Sequence, residues 1–168
     1  MEINQNECFP IKGTLSELLA AELESAGNCQ LMKALYKALA RNETEMIAKL
    51  VAPDLEWWFH GPPSCQHMMR MLTGESRPHM EFKFKPRRIA AIADRVIVEG
   101  WQRSRSYWVH VWTFKDGMIT HLREYFDTWL TVIVREVEAG NDDGIIRLWQ
   151  SDAKERLNRS LPDVVFAI

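Results

Sequence analysis

Two ionisable side chains in this sequence suit proton-transfer chemistry, the carboxyl group of Glu124 and the imidazole of His60. Glu124 is the one carboxylate in an alternating, mainly apolar set that includes Leu122 and Phe126. A carboxylate shielded from water binds a proton more readily, so Glu124 is a candidate general base for removing a proton next to a carbonyl group. His60 could exchange the second proton. The pair predicts a Glu124/His60 catalytic dyad.

Both residues also have a purely structural interpretation. Glu124 could form an ion pair with a basic residue on a neighbouring strand, because structural ion pairs perturb carboxylates too. His60 precedes the turn sequence Gly61-Pro62-Pro63 and could be a capped surface residue. The sequence identifies no oxyanion donor that would complete the dyad. Catalysis and ligand binding with Glu124 as the polar anchor therefore both stay open.

A second set of residues could line a pocket for a small apolar ligand that carries one polar group. Its members are large or adaptable side chains, namely Trp58, Met68, Met69, His110, Trp112 and Phe126. His110 shares a strand face with Trp108 and Trp112, and that face could equally form a dimer interface. Methionines at helical spacing are more often core residues. We predict ligand binding by this set, with no metal and no cofactor.

The element that positions Glu124 is a predicted long β-hairpin. The dipeptide Asp116-Gly117 joins two runs rich in β-branched and aromatic residues, 107–114 and 118–134. Asp-Gly in this setting predicts a type I′ turn, because both central residues need positive φ. Strand residues alternate between faces. The face opposite Glu124, predicted to meet solvent or a dimer partner, carries His121, Arg123 and Asp127.

Helices should precede this hairpin. Apolar spacing and capping signals predict helices over 14–25, 29–41 and 42–52, with stops at Gly27 and before Pro53. A strand over 54–61 should lead to a short helix from Ser64 to Gly74. Further strands are predicted over 80–85, 89–102 and 145–150, with the apolar C-terminal tail packed on the sheet. This order indicates an α+β fold with helices against one face of an antiparallel sheet.

Both faces of the strand 107–114 are apolar, and helices can cover only one of them. The other face needs a partner, and a symmetric dimer is the commonest solution. We therefore predict a homodimer through the sheet face.

Composition narrows the class of protein. A chain of 168 residues with 46% apolar and 26% charged residues fits one globular domain. Its net charge of −2 provides no field that would attract nucleic acid. No apolar run approaches the roughly 18 residues of a membrane helix, and the three cysteines lack a metal-binding spacing. We expect an intracellular, cytoplasmic protein that binds neither nucleic acid nor membrane.

Several stretches, in this order, resemble the plant wound-induced or senescence-associated protein family: DLEWWFHGPPSCQHMMRMLTG, WVHVWTFKDGMITHLREYFDTWLTV, LWQS and SLPDVVFAI. The resemblance covers residues 28–168, taken as a single domain, and leaves 1–27 as an N-terminal arm with a short helix. The family falls within the nuclear-transport-factor-2-like superfamily, with SnoaL-like cyclases as relatives. This implies a cone-shaped curved antiparallel sheet wrapped around N-terminal helices, enclosing an apolar pocket and usually dimeric.

The resemblance implies a role in wounding, stress or senescence, without an agreed reaction. By position, Glu124 resembles the catalytic acid of the cyclases, and His60 lies near the proton-shuttling carboxylate of the isomerases. The family more often has Asn where this chain has Asp127. We predict a wound- or stress-responsive protein that binds a small apolar ligand. The alternatives are an isomerase, cyclase or hydrolase that uses Glu124 and His60, and a non-catalytic protein-interaction module.

Overall fold

The computed structural model describes residues 7–8, 14–75, 82–102, 106–136, 144–152 and 163–168. Its helices are α1 (Leu15–Arg41), α2 (Thr44–Leu50) and α3 (His67–Thr73). Its strands are β1 (Glu7–Cys8), β2 (Val51–His60), β3 (Arg88–Ile92), β4 (Arg95–Gln102), β5 (Ser106–Lys115), β6 (Met118–Phe126), β7 (Leu130–Glu136), β8 (Ile145–Gln150) and β9 (Val164–Ala167). The predicted α+β class is confirmed. In these ranges no helix is both long and apolar enough to cross a lipid bilayer.

One continuous helix, α1, replaces the two that the sequence predicted. Its capping box forms as expected, with the Thr14 N–H donating to Glu17 Oε2 at 2.9 Å. Gly27 does not end the helix, because an interior glycine costs only about 1 kcal/mol and the residues from Asn28 to Ala38 pack against the domain. Asn42, predicted to cap α2, instead ends α1 at φ 56°. The helix thus runs through the predicted boundary between residues 27 and 28.

The larger sheet is curved and unclosed, with strand order β1-β3-β4-β5-β6-β2. Strands β3 to β6 are antiparallel neighbours, as predicted, whereas the outer strands β1 and β2 run parallel to β3 and β6. The predicted turn between β5 and β6 is confirmed by the positive φ of Asp116 (52°) and Gly117 (76°). The strand order places β4 and β5 at the centre of the curved sheet, with β6 between β5 and the edge strand β2.

The second arm of the hairpin is shorter than predicted. Asp127 adopts φ 55°, and its N–H donates to the carbonyl oxygen of Tyr107 at 2.7 Å. Aspartate tolerates this left-handed conformation because its short polar side chain can bond locally. The chain turns a corner there, and β7 enters a second sheet with strand order β8-β7-β9. The prediction of one strand reaching Val134 is wrong.

Two hydrophobic cores result from this corner. The inner core lies between the helices and one face of the larger sheet, and includes Met32, Leu35, Met68, Trp108, Trp112 and Phe126. The outer core lies between the two sheets, and includes Tyr107, Val109, Trp129, Val132 and Trp149. The sheet face that was predicted to meet a second subunit is therefore covered by the protein's own second sheet.

Two local predictions before β3 are wrong. Ser64 lies in a 3₁₀ turn, Pro63–Cys65, and α3 begins only at His67. Residues 82–87 form no strand, because ladder pairing with β4 starts at Arg88 and the two phenylalanines of this segment pack edge to face, with ring centroids 4.9 Å apart. The predicted residues Met80 and Glu81 lie outside the described ranges. The predicted helix end at Gly74 (φ 74°) and the packed C-terminal tail are both confirmed.

Candidate functional site

Three side chains from three elements form a buried hydrogen-bonded chain. The ladder between β5 and β6 places His110 directly opposite Glu124, and His110 Nε2 lies 2.6 Å from Glu124 Oε2. The hydroxyl of Tyr36, on α1, lies 2.6 Å from His110 Nδ1 and accepts a hydrogen bond from Trp112 Nε1 at 3.0 Å. We call Tyr36, His110 and Glu124 the inner network. Since His110 and Glu124 are both fully buried, water does not screen them.

The donors and acceptors of the inner network can be assigned from Tyr36. Burial raises the pKa of Tyr36 well above its ordinary value, the hydrogen bond from Trp112 opposes this, and the charge of Glu124 adds to it. The phenol therefore keeps its proton. Because the indole of Trp112 can only donate, the Tyr36 O–H donates to His110 Nδ1. His110 then carries its own proton on Nε2 and donates it to Glu124 Oε2.

The second oxygen of Glu124, Oε1, has no hydrogen-bond partner among the described residues. The same holds for Nε1 of Trp108, whose ring centroid lies 4.5 Å from that of His110. Buried polar atoms are nearly always paired. One acceptor and one donor beside the same imidazole are therefore without a partner among the described residues.

Aromatic side chains pack around His110 and Trp108. Phe84 lies 4.8 Å from His110 and 5.0 Å from Trp108 between ring centroids. Phe82 contacts both Phe84 and Phe126 edge to face. The aromatic rings of Phe82, Phe84 and Phe126 therefore pack as one group on the inner side of the sheet, next to His110 and Trp108. We call this region, with the inner network, the aromatic chamber.

His67, at the start of α3, lies between this chamber and solvent. Its ring centroid is 5.1 Å from that of Phe82 and 5.7 Å from that of Phe126, and the side chain is half-buried. Burial lowers the pKa of His67, the neighbouring Arg70 lowers it further, and the charge of Glu124 raises it. His67 is therefore within electrostatic range of Glu124 while remaining partly accessible to water.

The structure does not bring Glu124 and His60 together. In the register of β2 and β6, Glu124 is paired with Phe59, whereas His60 is paired with Tyr125. His60 is consequently on the opposite face of the sheet, exposed and stacked on Trp58 with ring centroids 5.9 Å apart. Glu124 and His60 therefore do not make the contact that the predicted dyad requires. The sequence could not specify this, because the register of two strands that are distant in the chain has no local signal.

The other predicted site residues divide among three places. His110, Met68, Trp112 and Phe126 lie with Glu124 on the inner side of the sheet. Trp58 lies on the outer side, 43% exposed, with the guanidinium of Arg123 5.2 Å from its ring centroid. Met69 lines a separate cavity of about 420 Å³ between α2, β2 and α3.

Sequence reasoning missed Tyr36 and His67 as members of the site. Tyr36 carries a hydroxyl on the apolar side of its helix, where a buried polar atom needs a partner, and this signal could have identified it. Nothing in the sequence around His67 distinguishes it from an ordinary surface histidine. Both reach Glu124 only through the packing of helices on the sheet.

A second buried carboxyl group, Glu99, lies on the other side of the sheet. The Tyr107 hydroxyl donates to Glu99 Oε2 at 2.7 Å, and Arg88 Nη1 lies 3.4 Å from Oε1. Tyr107 also hydrogen-bonds Ser151, which directly follows β8 of the second sheet. Burial raises the pKa of Glu99, although these donors oppose the shift. Unlike Glu124, Glu99 has partners on both oxygens, so its contacts account for it as a link between the two sheets.

No cluster of three or more His, Cys, Asp or Glu side chains in the described part of the chain could hold a metal ion.

Comparison with known proteins gives two kinds of match. The sequence profile of the wound-induced protein WI12 family matches residues 69–168, from α3 to the end of the chain. Wound-induced protein 1 of Solanum tuberosum is 35% identical over 105 residues, which is 60% of this chain and 100% of that protein. Senescence associated gene 20 of Arabidopsis thaliana is 36% identical over 110 residues, again 60% of this chain and 100% of that protein.

Among solved structures, an NTF2-like protein from Burkholderia xenovorans is similar in fold, with a TM-score of 0.45 and a sequence identity of 24%. The similarity covers 61% of this chain and 91% of that one.

Proposed function

Because the chain belongs to the wound-induced protein WI12 family, we propose that it serves the plant wound or stress response by binding a small, mainly apolar ligand at Glu124. The observation that carries the proposal is the unpaired Oε1 of this fully buried carboxyl group. His110 hydrogen-bonds the other oxygen, so the carboxyl group is held in one orientation and Oε1 is free to accept a hydrogen bond from a ligand.

Energetics favour a functional origin for this arrangement. An unpaired buried acceptor costs roughly 1–3 kcal/mol, and apolar residues often replace buried polar groups without loss of stability. If the network had only a structural role, the protein would be more stable with a hydrogen-bond partner for Oε1, or with an apolar residue in place of Glu124. Retaining it is understandable if a ligand donates to it in the working protein.

The unpaired atoms also describe the ligand. Glu124 Oε1 accepts and Trp108 Nε1 donates, so a hydroxyl group, which can do both, is the polar group that suits either atom. The walls of the aromatic chamber require that the rest of the molecule be apolar, with a flat or cyclic part to match the rings of Phe82, Phe84 and Phe126. The ligand class we propose is a small, hydroxylated, cyclic apolar compound.

Native mass spectrometry of the protein purified from plant tissue tests this proposal. The wild type should carry a bound small molecule. The Glu124→Gln variant should lose it, because the amide can still accept from His110 but turns an N–H donor toward the ligand hydroxyl. Glu99→Gln is the matched control, since it makes the same change at a buried carboxyl group on the other side of the sheet, and it should keep the molecule. Equal occupancy in all three proteins would contradict the proposal.

A second candidate function is proton-transfer catalysis, and the inner network favours it. An imidazole that is locked in one tautomer orients its carboxylate partner, which is the arrangement a general base needs. Here Glu124 would act with Trp108 Nε1 as the hydrogen-bond donor, in place of the predicted partner His60. If the bound compound contains a carbonyl group, deuterium exchange at the adjacent carbon, followed by NMR, should be faster with wild type than with Glu124→Gln. Equal exchange rates would leave binding as the function.

Homodimerisation remains a proposal, on a different surface from the one first predicted. The outer side of the second sheet carries exposed apolar side chains that share one face by register, Ile146, Leu148 and Val165. A second copy is the occupant that would bury this face by symmetry. Light scattering should give twice the chain mass for wild type and the single chain mass for Leu148→Glu. A monomeric wild type at micromolar concentration would favour instead a non-catalytic module that binds another protein there.

A further inference from the structure

The cavity between α2, β2 and α3 forms because β2 leaves its neighbour for four residues. Val51 pairs with Ile119 and Glu56 with His121, so the intervening segment 52–55 bulges away from β6. Pro53 lies in this bulge and has no N–H to contribute to a ladder, which suits an irregular strand. The bulge and the two short helices enclose a cavity of about 420 Å³, within the roughly 300–1,000 Å³ of typical small-ligand sites.

The lining of this cavity is chemically uniform. Its residues are Thr44, Ile47, Ala48, Val51, Ala52, Pro53, Leu55, Met69, Met71, Leu72, Thr73 and Gly74. None of these is charged and none is aromatic, in contrast to the rings around Glu124. Ile47 and Ala52 are buried and form the floor, while Thr44 and Thr73 are exposed. The cavity therefore has an aliphatic interior and hydroxyl groups on its solvent side.

We infer that this cavity is a second binding site, which takes a neutral aliphatic chain with an uncharged polar head such as a hydroxyl. Aliphatic walls fit a flexible chain, and the unbranched methionines Met69 and Met71 can adapt to its shape. A charged head is disfavoured, because no residue of the lining carries a charge that could pair with it. Thr44, which lines the cavity and is exposed, is the residue that we assign to the polar head.

This site is separate from the one proposed at Glu124. Leu55 lines the cavity, whereas Phe59 is the β2 residue paired with Glu124. The two are four residues apart on one strand, about 13 Å at roughly 3.3 Å per residue. Occupation of the cavity therefore does not require the aromatic chamber, and either site can exist without the other.

Methionine methyl NMR tests the inference with a defined probe, octan-1-ol. Signals of Met69 and Met71 should shift on titration and saturate, while that of Met32, buried in the inner core, should stay unchanged. Octanoate, which has the same chain and a charged head, should bind at least about tenfold more weakly, a difference of about 1.4 kcal/mol. Ala48→Phe adds a ring to an exposed lining position and should weaken octan-1-ol binding by a similar factor.

The control variants keep the test specific. Ala26→Phe makes the same substitution at an exposed position of α1 that does not line the cavity, and it should bind octan-1-ol like wild type. Glu124→Gln should also bind octan-1-ol like wild type. The result of this titration is therefore independent of whether a ligand binds at Glu124. The inference is overturned if Met69 and Met71 do not shift, if Met32 shifts equally, if octanoate binds as tightly, or if Ala48→Phe has no effect.

Discussion

Replacing Glu124 by glutamine separates a functional carboxylate from a structural ion pair through its effect on stability. In the assigned network His110 is neutral and donates from Nε2 to Glu124 Oε2 at 2.6 Å. Glutamine preserves this bond with a neutral acceptor, and a hydrogen bond to a neutral group is weaker than one to a charged group by about 1 kcal/mol. In exchange, the variant no longer buries a carboxyl oxygen without a partner, which costs roughly 1–3 kcal/mol.

The amide N–H of glutamine takes the place of the unpaired oxygen and carries a similar cost of roughly 1–3 kcal/mol, so the weaker bond to His110 is the main difference. We therefore expect the free energy of unfolding of Glu124→Gln to lie within about 1 kcal/mol of wild type. A structural salt bridge with a charged His110 would behave differently, because removing one partner of a buried pair typically costs about 3–5 kcal/mol.

Urea unfolding, followed by far-ultraviolet circular dichroism, measures this difference. The slope of the free energy against urea concentration should be the same for both proteins, which shows that the variant exposes the same surface on unfolding. A loss of about 3 kcal/mol or more, at an unchanged slope, would refute the assignment of protons in the inner network and favour the structural interpretation.

Three further predictions follow from other contacts. Tyr36→Phe leaves both His110 Nδ1 and Trp112 Nε1 without the partner they have in the wild type. The free energy of unfolding, measured with urea, should therefore fall by about 2–4 kcal/mol. A loss below about 0.5 kcal/mol would show that water replaces the hydroxyl. Burial raises the pKa of Glu99 above its ordinary 4.5, so the folded protein binds the Glu99 proton more tightly than the unfolded chain does. The stability that this proton contributes is fully present below the unfolded pKa and is lost as pH rises through the folded pKa. Glu99→Gln should flatten that decline between pH 4.5 and neutrality, and an unchanged profile would assign the decline to other groups. A methyl group added at Gly100 would meet the ring of Trp108 and lie 2.6 Å from the carbonyl oxygen of Lys85. Gly100→Ala should therefore lower the free energy of unfolding, measured by thermal denaturation, by about 1–3 kcal/mol. A variant as stable as wild type would mean that Trp108 is free to move.

The parts of the fold that depend on neighbouring residues could be predicted from the sequence. The turn at Asp116-Gly117 is one example, because its conformation follows from two residue types. Strand alternation then placed Glu124 on the same face as Phe126, as the structure has it. The break at Asp127 was missed, since the residue that permits a left-handed turn in a strand does not require one.

The parts that depend on distant residues could not be predicted. Tyr36 and His110 are separated by 74 positions, and their contact depends on how α1 lies across the sheet. The opposite faces of His60 and Glu124 follow from the register of β2 on β6, which no local signal specifies. The covering of the outer sheet face by β7, β8 and β9 likewise could not be predicted, because the turn at Asp127 brings together residues that are far apart in the sequence.

A crystal structure of the protein purified from plant tissue, without added ligand, tests the central claim most directly. The account predicts electron density for a small cyclic molecule in the aromatic chamber, with a hydroxyl oxygen about 2.6–3.0 Å from Glu124 Oε1. It is contradicted if Oε1 is instead bonded by a group of the chain itself and no molecule lies beside it.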